Sequence, residues 1–402
     1  MLLNPNGKQI IKDFLESSSE QSMLDLISFA KEFQLTYTEI ADLAHGLARS
    51  GQMIRPKASS TYYDIPSTGG PSSLSTLISP IVLSALGKHV LKLGVPGRPA
   101  GGIDVLAQIE GYHVEPSTKE IEKWITNGRF IHIVANSHFT PLDINFFEFR
   151  KKHDAVKIPS LVVASILAKK IAFGINSVGL DIRVSNFGNF GSTWNEARSN
   201  AKLFNNVASL LGIRSMCYIS NGFYPQQPYI GRGESLLALK NIFDETNSDD
   251  LLKKHLAHCY SMGISLAGGS QGVVFTGSVL EKEFRDNISL QGGKYDSFIN
   301  IAEKVEKEHE FTITAQEPGF LSIDLEKIRK SIMAVQHETK DSKYPDPCGL
   351  ILKTQPNEYV SKGHTLCTFR CVKKFREIFR EQLQLCFNYA PDINKSNELE
   401  LI

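Results

Sequence analysis

The segment from Pro159 to Ile171 is apolar around almost its entire circumference when it is read as an α-helix. Proline suits the first turn of a helix, where its missing N–H leaves no bond unmade. The apolar side chains that cover the helix are Leu161, Val162, Ala164, Ile166, Leu167, Ala168 and Ile171. A helix that is hydrophobic all round is buried by its neighbours. The sequence therefore predicts that other elements pack around this helix.

Two of the polar residues on this helix lie on one face. Ser165 and Lys169 are four positions apart, so their side chains stand on one face, one turn from each other. One interpretation is structural: the lysine extends its aliphatic stem to solvent, and the serine hydroxyl bonds to the helix backbone. The other is that the hydroxyl and the ammonium belong to a binding site. The helical pattern alone leaves both interpretations open.

The size and charge of the chain narrow the classes of function. With 402 residues, the chain is expected to form two or three domains. Its formal charge of +1 gives no basic surplus, so we expect no nucleic-acid partner. The first residues contain no apolar stretch of signal-peptide length, and nowhere do about 18 apolar residues follow one another. We therefore expect a cytoplasmic protein without a membrane partner.

The cysteines are spread along the chain without CxxC spacing. They are Cys217, Cys259, Cys348, Cys367, Cys371 and Cys386. Zinc sites and small disulfide-bonded domains bring cysteines together at short, regular spacings. The sequence thus predicts reduced thiols, with neither a metal site nor a disulfide scaffold.

Helical and strand patterns alternate along the chain. Apolar residues recur at three- and four-residue steps over residues 7–53, which predicts three helices, the third opening on a capping box of Thr36 and Glu39. The later predicted elements are a strand at 130–134, a strand at 177–184, a helix at 194–211 and a strand at 213–220. This alternation is typical of an α/β fold.

A polar segment precedes an apolar helix predicted at residues 77–86. It carries hydroxyl and glycine residues, namely Ser67, Thr68, Gly69, Gly70, Ser72, Ser73, Ser75 and Thr76. Glycines let backbone N–H groups approach a ligand, hydroxyls donate hydrogen bonds, and a helix N-terminus attracts an anion. The segment has the features of a phosphate cradle, although a plain surface loop has a similar composition.

The run from Ile158 to Lys170, with an arginine fifteen positions before Ser165, resembles the pyrimidine-nucleoside phosphorylase family, thymidine phosphorylases in particular. Arg150, Ser165 and Lys169 match the residues that hold the polar edge of the pyrimidine base in that family. The residue types suit this role, because O4 and N3 of uracil or thymine require donors and one adaptable group. The resemblance implies that Arg150 and Lys169 are catalytic, since they stabilise the anionic base as it leaves.

The hydroxyl segment resembles the phosphate loop of the same family only in part. The matching positions are Asp64, Ser67, Thr68, Gly69, Gly70, Ser75 and Thr76, the last two in swapped order. The phosphate-binding lysine of the family aligns with Ile65, and its histidine, which acts at the base and sugar, aligns with Pro66. Neutral donors bind phosphate more weakly than cations do. Arg98 or Lys92 lies in the segment that resembles the second phosphate loop and can restore a positive charge, and we expect Arg98 on the phosphate side.

The resemblance spans residues 7–392 and implies the fold of the class II nucleoside phosphorylases. This is an α/β protein with a small helical domain, a larger α/β domain with a mixed sheet, and a C-terminal α+β subdomain. The implied helical domain, with the base-binding face and the dimer contact, comprises residues 1–57 and 142–175. The α/β domain on the phosphate side comprises residues 58–141 and 176–310. Residues 311–392 form the C-terminal domain, and residues 393–402 form a tail.

The resemblance also implies a function. The protein would be a pentosyltransferase that cleaves the N-glycosidic bond of thymidine- or uridine-type nucleosides, with inorganic phosphate as co-substrate and without a cofactor or metal. Its ligand would be a pyrimidine nucleoside or nucleotide, and the chain would form a homodimer. Because of Ile65 and Pro66, two alternatives stay open: a non-catalytic nucleoside- or nucleotide-binding protein on the same fold, and a glycosyl transferase whose acceptor is not phosphate.

Overall fold

A computed structural model describes residues 7–56, 60–134, 138–186, 188, 190–246, 249–269 and 275–390, and the backbone of residues 400–401. The α-helices in this part of the chain are α1 (Gly7–Ser17), α2 (Glu20–Glu32), α3 (Tyr37–Arg49), α4 (Ser75–Ala85), α5 (Ile103–Leu106), α6 (Thr118–Asn127), α7 (Pro141–Lys152), α8 (Pro159–Ala172), α9 (Trp194–Leu210), α10 (Arg232–Phe243), α11 (Asp250–Ala267), α12 (Gly277–Leu290), α13 (Tyr295–Glu308), α14 (Leu325–Glu338) and α15 (Arg376–Gln384). The strands are β1 (Tyr62–Asp64), β2 (His89–Gly94), β3 (Phe130–Val134), β4 (Ser177–Val184), β5 (Arg214–Asn221), β6 (Tyr229–Ile230), β7 (Phe311–Thr314), β8 (Gly319–Ile323), β9 (Cys348–Leu352), β10 (Tyr359–Val360), β11 (Thr365–Cys371), β12 (Phe387–Ala390) and β13 (Glu400–Leu401). No helix in the described ranges is both long and apolar enough to cross a membrane.

The chain divides into two compact units, each built from separate stretches of sequence. The first unit comprises Met1–Thr68, Ala135–Ile219 and Glu400–Ile402, and the second comprises Gly69–Val134 and Ser220–Leu399. Each unit contains helices and a pair of parallel strands. The predicted α/β fold is therefore confirmed. The predicted boundaries of the helical, α/β and C-terminal domains stay a prediction.

The helices of the first unit surround α8, the apolar helix of the sequence. Helix α3 packs against α8, and α9 packs against both. Helix α3 begins with the predicted capping box: Thr36 Oγ1 accepts a bond of 3.3 Å from the Glu39 N–H, and the Glu39 carboxylate accepts one of 2.8 Å from the Thr36 N–H. These bonds satisfy two of the N–H groups that an uncapped helix leaves unpaired. The predicted burial of α8 is confirmed, because ten of its fourteen residues are buried.

A mixed sheet accompanies these helices in the first unit. Its strands lie in the order β13, β5, β4, β1. Strand β1 is parallel to β4, with Tyr63 opposite Ser177, whereas β13 is antiparallel to β5, with Glu400 opposite Ile219. All eight residues of β4 are buried, as expected for a central strand covered on both faces. The strand predicted at residues 177–184 is thus confirmed.

The second unit begins with a parallel pair, β2 and β3, in which Val90 lies opposite Phe130. Helix α4 packs against β2 and against α11 and α12. The side chain of Gln291 bonds to the backbone of β3: its Oε1 accepts 2.7 Å from the His132 N–H, and its Nε2 donates 3.0 Å to the His132 carbonyl. An amide side chain therefore satisfies the backbone groups of a strand edge.

The C-terminal part of the second unit holds two antiparallel sheets, β6-β9-β11-β7 and β10-β8-β12. A buried charge cluster lies beside the first of them. Arg370 donates to Glu234 at 2.7 and 3.1 Å and to Asp346 at 2.6 Å, and His309 Nε2 lies 3.0 Å from Glu234. Burial disfavours the ionised form of Glu234, but Arg370 and His309 hold its pKa below the ordinary value. Buried charges persist when they are paired in this way.

Candidate functional site

Helix α8 places Ser165 and Lys169 together. The Lys169 ammonium donates to the Ser165 carbonyl and to the Ser165 Oγ, each at 3.1 Å. Ser165 is buried, while 17% of the Lys169 side chain is exposed. The two groups meet because residues four apart are neighbours on a helix surface. They form a compact donor and acceptor pair on a mainly apolar helix.

Asp143 on α7 is the third member of this group. Its Oδ2 bonds to the Lys169 ammonium across 26 positions of sequence. The Asp143 side chain is only 1% exposed, and its Oδ1 has no hydrogen-bond partner among the described residues. A buried carboxylate oxygen without a partner is costly, so such an atom in a native protein calls for an explanation such as a water, a ligand or an ion. Asp143 orients the lysine and leaves one acceptor unused.

Arg150, the third residue of the predicted base-binding trio, lies at the end of α7. Its guanidinium donates to the carbonyls of Ala155 (3.1 Å), Val156 (3.2 Å) and Leu161 (3.1 Å). Three of its five N–H donors thus bind backbone carbonyls of the α7–α8 connection and of the first turn of α8. Burial lowers the pKa of Arg150 to about 10, and Asp143 opposes this change. The guanidinium is positive at neutral pH and fixes the turn of α8 that precedes Ser165.

A second buried ion pair anchors the same helix. Lys170 bonds to Asp64 at the end of β1, and the two side chains are 3% and 0% exposed. Asp64 lies three positions before Ser67, so Lys170 is tied to the strand that leads into the hydroxyl segment. Asp64 and Lys170 are 106 positions apart in the sequence.

The first part of the hydroxyl segment pairs with β4 as a short parallel extension. The Thr68 N–H donates 2.9 Å to the Asp181 carbonyl, and the Asp181 N–H donates 2.9 Å to the Pro66 carbonyl. The Arg183 N–H donates 2.9 Å to Thr68 Oγ1. Because this oxygen already accepts a bond, its own proton is directed toward another acceptor. Ser67 forms an isolated bridge with Asp181 in the same register.

The two positions that depart from the resemblance have apolar side chains. Ile65 is 1% exposed, and Pro66 is partly exposed. Arg183, on the neighbouring strand, is engaged by Asp181 through bonds of 2.8 and 2.7 Å. Neither Ile65 nor Pro66 can supply a charge or a proton to a ligand. The first unit therefore has hydroxyls at this segment, and apolar residues where the phosphorylases that it resembles have a lysine and a histidine.

The second part of the hydroxyl segment belongs to the second unit. Gly69 and Gly70 have φ values of 115° and 129°, and a Cβ at either position would meet no atom within 4 Å. Ser75 opens α4, its N–H donating 3.2 Å to Ser73 Oγ. Thr76 Oγ1 would lie 3.5 Å from a Cβ at Gly101, which places the hydroxyl beside a second glycine loop. Hydroxyls, open backbone and a helix N-terminus thus occur together, as an anion site requires.

Arg98 lies in that glycine loop, and its backbone is held on both sides. Asp104 accepts bonds from the N–H groups of Gly97 (2.9 Å) and Arg98 (3.1 Å). The Arg232 guanidinium donates to the Arg98 carbonyl at 3.0 and 3.2 Å. The Arg98 side chain itself is exposed and has no hydrogen-bond or ion-pair partner among the described residues. Lys92, the other expected cation, lies on β2 and is only 2% exposed.

Although Arg98 is exposed at the surface, the protein atoms around its guanidinium lower its pKa, the charge of Arg329 on α14 lowers it further, and Asp104 partly offsets both. A cation beside another cation is poorly stabilised by its own protein and gains from an anionic ligand.

In the described ranges, no cluster of three or more His, Cys, Asp or Glu side chains is arranged to hold a metal ion.

Several of these groups are absent from the prediction. The Lys169–Asp143 pair, the Lys170–Asp64 pair and the frame of Asp104 around Arg98 were not expected from the sequence. The proline two positions before Asp143 indicates a helix start, which places this carboxylate in the first turn of α7, but no sequence pattern indicates which lysine it meets. The roles of the predicted site residues stay a prediction.

No family model matches the chain. Among curated proteins, the chain is 26% identical over 397 residues to the pyrimidine-nucleoside phosphorylase of Bacillus subtilis, covering 90% of this chain and 89% of that protein. It is 27% identical over 350 residues to the pyrimidine-nucleoside phosphorylase of Staphylococcus haemolyticus, covering 82% and 79%. The resemblance predicted from the sequence is thereby confirmed, at the low identity of a divergent relative.

Among solved structures, the chain is similar to the anthranilate phosphoribosyltransferase of Thermus thermophilus. The TM-score is 0.49 and the identity 15%, covering 76% of this chain and 94% of that protein. At this score and identity, the likeness supports no conclusion about what this chain does.

Proposed function

We propose that the protein is a pentosyltransferase that cleaves the N-glycosidic bond of thymidine- or uridine-type nucleosides, as its relatives named pyrimidine-nucleoside phosphorylases suggest. The observation that carries this proposal is the pairing of Ser165 with Lys169, which Asp143 holds from α7. An ammonium can donate to the O4 carbonyl of a pyrimidine, and a hydroxyl can accept from its N3–H. This pair therefore suits the polar edge of uracil or thymine.

The charges of Lys169 and Arg150 favour bond cleavage in this proposal. When the glycosidic bond breaks, its electrons remain on the base, which becomes an anion. A fixed cation beside the base stabilises the transition state more than the neutral substrate, and this difference accelerates the reaction. Lys169 would act by direct contact. Arg150, whose guanidinium donates to three backbone carbonyls, would act through its charge and by fixing α8.

The sugar side of the proposed reaction would use the hydroxyl segment. Ser67, Thr68, Ser75 and Thr76 offer hydroxyl donors, and Gly69 and Gly70 offer accessible backbone. Arg98 would replace the charge that Ile65 cannot supply. A charge-assisted hydrogen bond is roughly twice as strong as a neutral one, so inorganic phosphate should bind weakly if Arg98 does not take part.

A non-catalytic nucleoside- or nucleotide-binding protein is the second candidate. The observation that favours it is the burial of Ile65, an apolar side chain at the position where the resemblance expects a phosphate-binding lysine. Such a protein would bind a pyrimidine through Ser165 and Lys169 without transferring the sugar. A transferase with an acceptor other than phosphate is the remaining alternative.

The experiment is chromatographic detection of free base released from thymidine, uridine and their 5′-phosphates, with and without inorganic phosphate. Phosphate-dependent release from the intact protein would support a phosphorylase. Lys169→Ala should reduce this release by at least about 100-fold, because an electrostatic contact made in the transition state contributes on this scale. Lys151→Ala is the matched control, since Lys151 is an exposed helical lysine paired with Glu148 on the same helix.

The alternatives predict other outcomes of the same experiment. Release that requires a different acceptor, added in place of phosphate, would indicate another glycosyl transferase. Thermal stabilisation by a nucleoside without release of base under any condition would refute the catalytic proposal and favour the binding protein. Equal loss of activity in Lys151→Ala and Lys169→Ala would show that the lysine on α8 has no special role.

A further inference from the structure

Two of the six cysteines lie directly opposite each other in an antiparallel sheet. Cys371, the last residue of β11, is in register with Cys348, the first residue of β9. Residues directly opposite in an antiparallel pair project to the same face. The sequence separates these cysteines by 22 intervening positions and has no spacing that would indicate the pair.

The backbone hydrogen bonds show which kind of pair this is. The Val372 N–H donates 2.9 Å to the Pro347 carbonyl, and the Lys353 N–H donates 2.8 Å to the Leu366 carbonyl. Hydrogen-bonded and non-hydrogen-bonded pairs alternate along an antiparallel ladder, so both bonds make Cys371 and Cys348 a non-hydrogen-bonded pair. In such a pair the Cα atoms are about 4.5 Å apart and the side chains are at their closest. A disulfide requires Cα atoms about 4.4–6.8 Å apart, so this backbone can accept one.

The two thiols are electrostatically unequal. A hydrogen bond from Cys348 lowers the pKa of Cys371, burial opposes this, and the guanidinium groups of Arg376 and Arg370 lower it further. Burial and the same hydrogen bond raise the pKa of Cys348. Cys371 is therefore the more acidic thiol of the two, and the Cys348 Sγ also lies 4.0 Å from the Ile332 carbonyl. A reactive dithiol combines one nucleophilic sulfur with one that resolves the first product.

The surroundings of Cys371 are rich in cations. Arg370 precedes it, and Lys373, Lys374 and Arg376 follow within five positions. Arg370 is engaged by Glu234 and Asp346. Arg376 stacks over the Phe311 ring at 4.3 Å, and its buried Nε has no hydrogen-bond partner among the described residues. Arg376 has no carboxylate within ion-pair distance in this part of the chain, and its charge lowers the pKa of Cys371.

The position of Cys371 allows access to small oxidants. Cys371 is 6% exposed as a residue, and the next residue, Val372, is 42% exposed at the end of the strand. Cys348 is 0% exposed. A small oxidant can therefore reach Cys371 first, and the buried Cys348 is placed to react second.

We propose that Cys371 and Cys348 form a peroxide-sensitive dithiol, in which Cys371 is oxidised first and Cys348 then closes a reversible disulfide between β11 and β9. The oxidant is hydrogen peroxide or another small hydroperoxide. The proposal does not depend on the nucleoside chemistry proposed above.

Oxidation to the disulfide takes two steps. The Cys371 thiolate attacks one oxygen of hydrogen peroxide, the O–O bond breaks, and the products are Cys371 sulfenic acid and hydroxide. The Cys348 sulfur then attacks the sulfenic sulfur, the S–S bond forms, the S–O bond breaks, and the leaving hydroxide takes the Cys348 proton as water. The two sulfurs lose two electrons in total, and the peroxide gains them. A thiol reductant such as dithiothreitol reverses the change by thiol–disulfide exchange.

The other cysteines of this region provide the contrast. Cys367 lies earlier on the same strand and is opposite Leu352 rather than a cysteine. Burial raises the pKa of Cys367 and also raises the pKa of Cys386 to about 12. The pKa of each of these two thiols is thus raised, whereas that of Cys371 is lowered. The structure therefore predicts that peroxide oxidises Cys371 and Cys348 in preference to Cys367 and Cys386, although all four thiols are buried.

The test treats the reduced, full-length protein with hydrogen peroxide and follows its intact mass and its peptide map. We expect a loss of two hydrogen atoms and a cross-linked peptide pair containing Cys348 and Cys371, both reversed by dithiothreitol. Cys348→Ser should instead accumulate sulfenic acid at Cys371, trapped by dimedone, without the cross-link. Cys367→Ser is the matched control and should form the cross-link at the rate of the unchanged protein.

The variant Arg376→Gln tests whether the charge of Arg376 affects the rate at which Cys371 is oxidised. If the charge of Arg376 favours the Cys371 thiolate, oxidation of Arg376→Gln should be several-fold slower than that of the unchanged protein, because the thiolate is the form that reacts. Mapping of the unchanged protein needs no variant, so a folding defect in any variant does not weaken the test. No cross-link in the unchanged protein, a cross-link between Cys367 and Cys386, or equal oxidation of Cys348 and Cys371 to sulfenic acid would overturn the proposal.

Discussion

Adjacent lysines on α8 have separate carboxylate partners on different elements. Lys169 pairs with Asp143 of α7, and Lys170 pairs with Asp64 of β1. Removing a charge from water is costly unless an opposite charge and hydrogen bonds replace the water, so a buried lysine is held firmly by its acid. The Lys170 pair is almost completely enclosed, while the Lys169 side chain keeps 17% exposure. Because of this difference in exposure, Lys169 is the lysine that a ligand can contact.

Asp143→Asn tests the pair at Lys169. The change removes the carboxylate and leaves the ammonium without its counter-charge, which costs about 3–5 kcal/mol for a buried pair. Because the Lys169 side chain keeps some solvent contact, we expect the lower end of this range in urea unfolding. Glu148→Gln on the same helix is the control and should cost no more than about 1 kcal/mol, as is usual for an exposed pair. Equal effects of the two changes would contradict a stabilising pair at Asp143.

At the scale of elements, local hydrogen bonds decide where several helices begin. Helix α6 opens on a capping box in which Glu120 accepts from the Ser117 N–H at 2.8 Å and from its hydroxyl at 2.7 Å. These bonds from Ser117 lower the pKa of Glu120, and His113 contributes further. The ionised carboxylate is the form that caps the helix.

This cap predicts a dependence of stability on pH. Since the folded-state pKa of Glu120 is below its ordinary value of 4.5, its contribution is present above that value and is lost as the pH falls through the lowered pKa. The difference in melting temperature between the unchanged protein and Glu120→Gln should therefore shrink on acidification. Glu122→Gln, an exposed change on the same helix, should show no such trend. A difference that stays constant from neutral to acid pH would exclude the charged cap.

The elements themselves were largely predictable, and their ends were less so. The strands at Phe130–Val134 and Ser177–Val184 match the prediction because β-branched and apolar runs identify buried strands. Helix α4 begins at Ser75, two residues before the predicted start, because hydroxyl residues usually indicate a loop. In the structure, the Leu74 N–H donates 2.9 Å to His255 Nε2, 181 positions away. A distant side chain thus satisfies a backbone group at the helix start.

At the scale of the whole molecule, the residues proposed to hold the base, Arg150, Ser165 and Lys169, all belong to the first unit. Binding to the folded protein alone raises the free energy of unfolding by mass action. A pyrimidine nucleoside that binds at Lys169 should therefore stabilise the molecule.

Thermal unfolding with and without thymidine or uridine measures this effect. At a nucleoside concentration of about one hundred times the dissociation constant, the stabilisation should be about 2.7 kcal/mol. Lys169→Met should abolish it, because the aliphatic stem is kept and the charge is lost. Lys151→Met is the control and should retain it, since Lys151 is exposed and pairs with Glu148 within α7. Stabilisation that survives Lys169→Met would place the nucleoside elsewhere.

Features that depend on neighbours along the chain could be read from the sequence. The 3.6-residue period brought Ser165 and Lys169 to one face, Pro159 started the helix, and Thr36 with Glu39 capped another. The contacts of Lys169 with Asp143, of Lys170 with Asp64 and of Cys371 with Cys348 emerged only when the elements were packed together. A local pattern fixes the backbone conformation and the face on which a side chain lies. The partner across a buried contact depends instead on which elements pack together and in what register, and many distant residues share that choice.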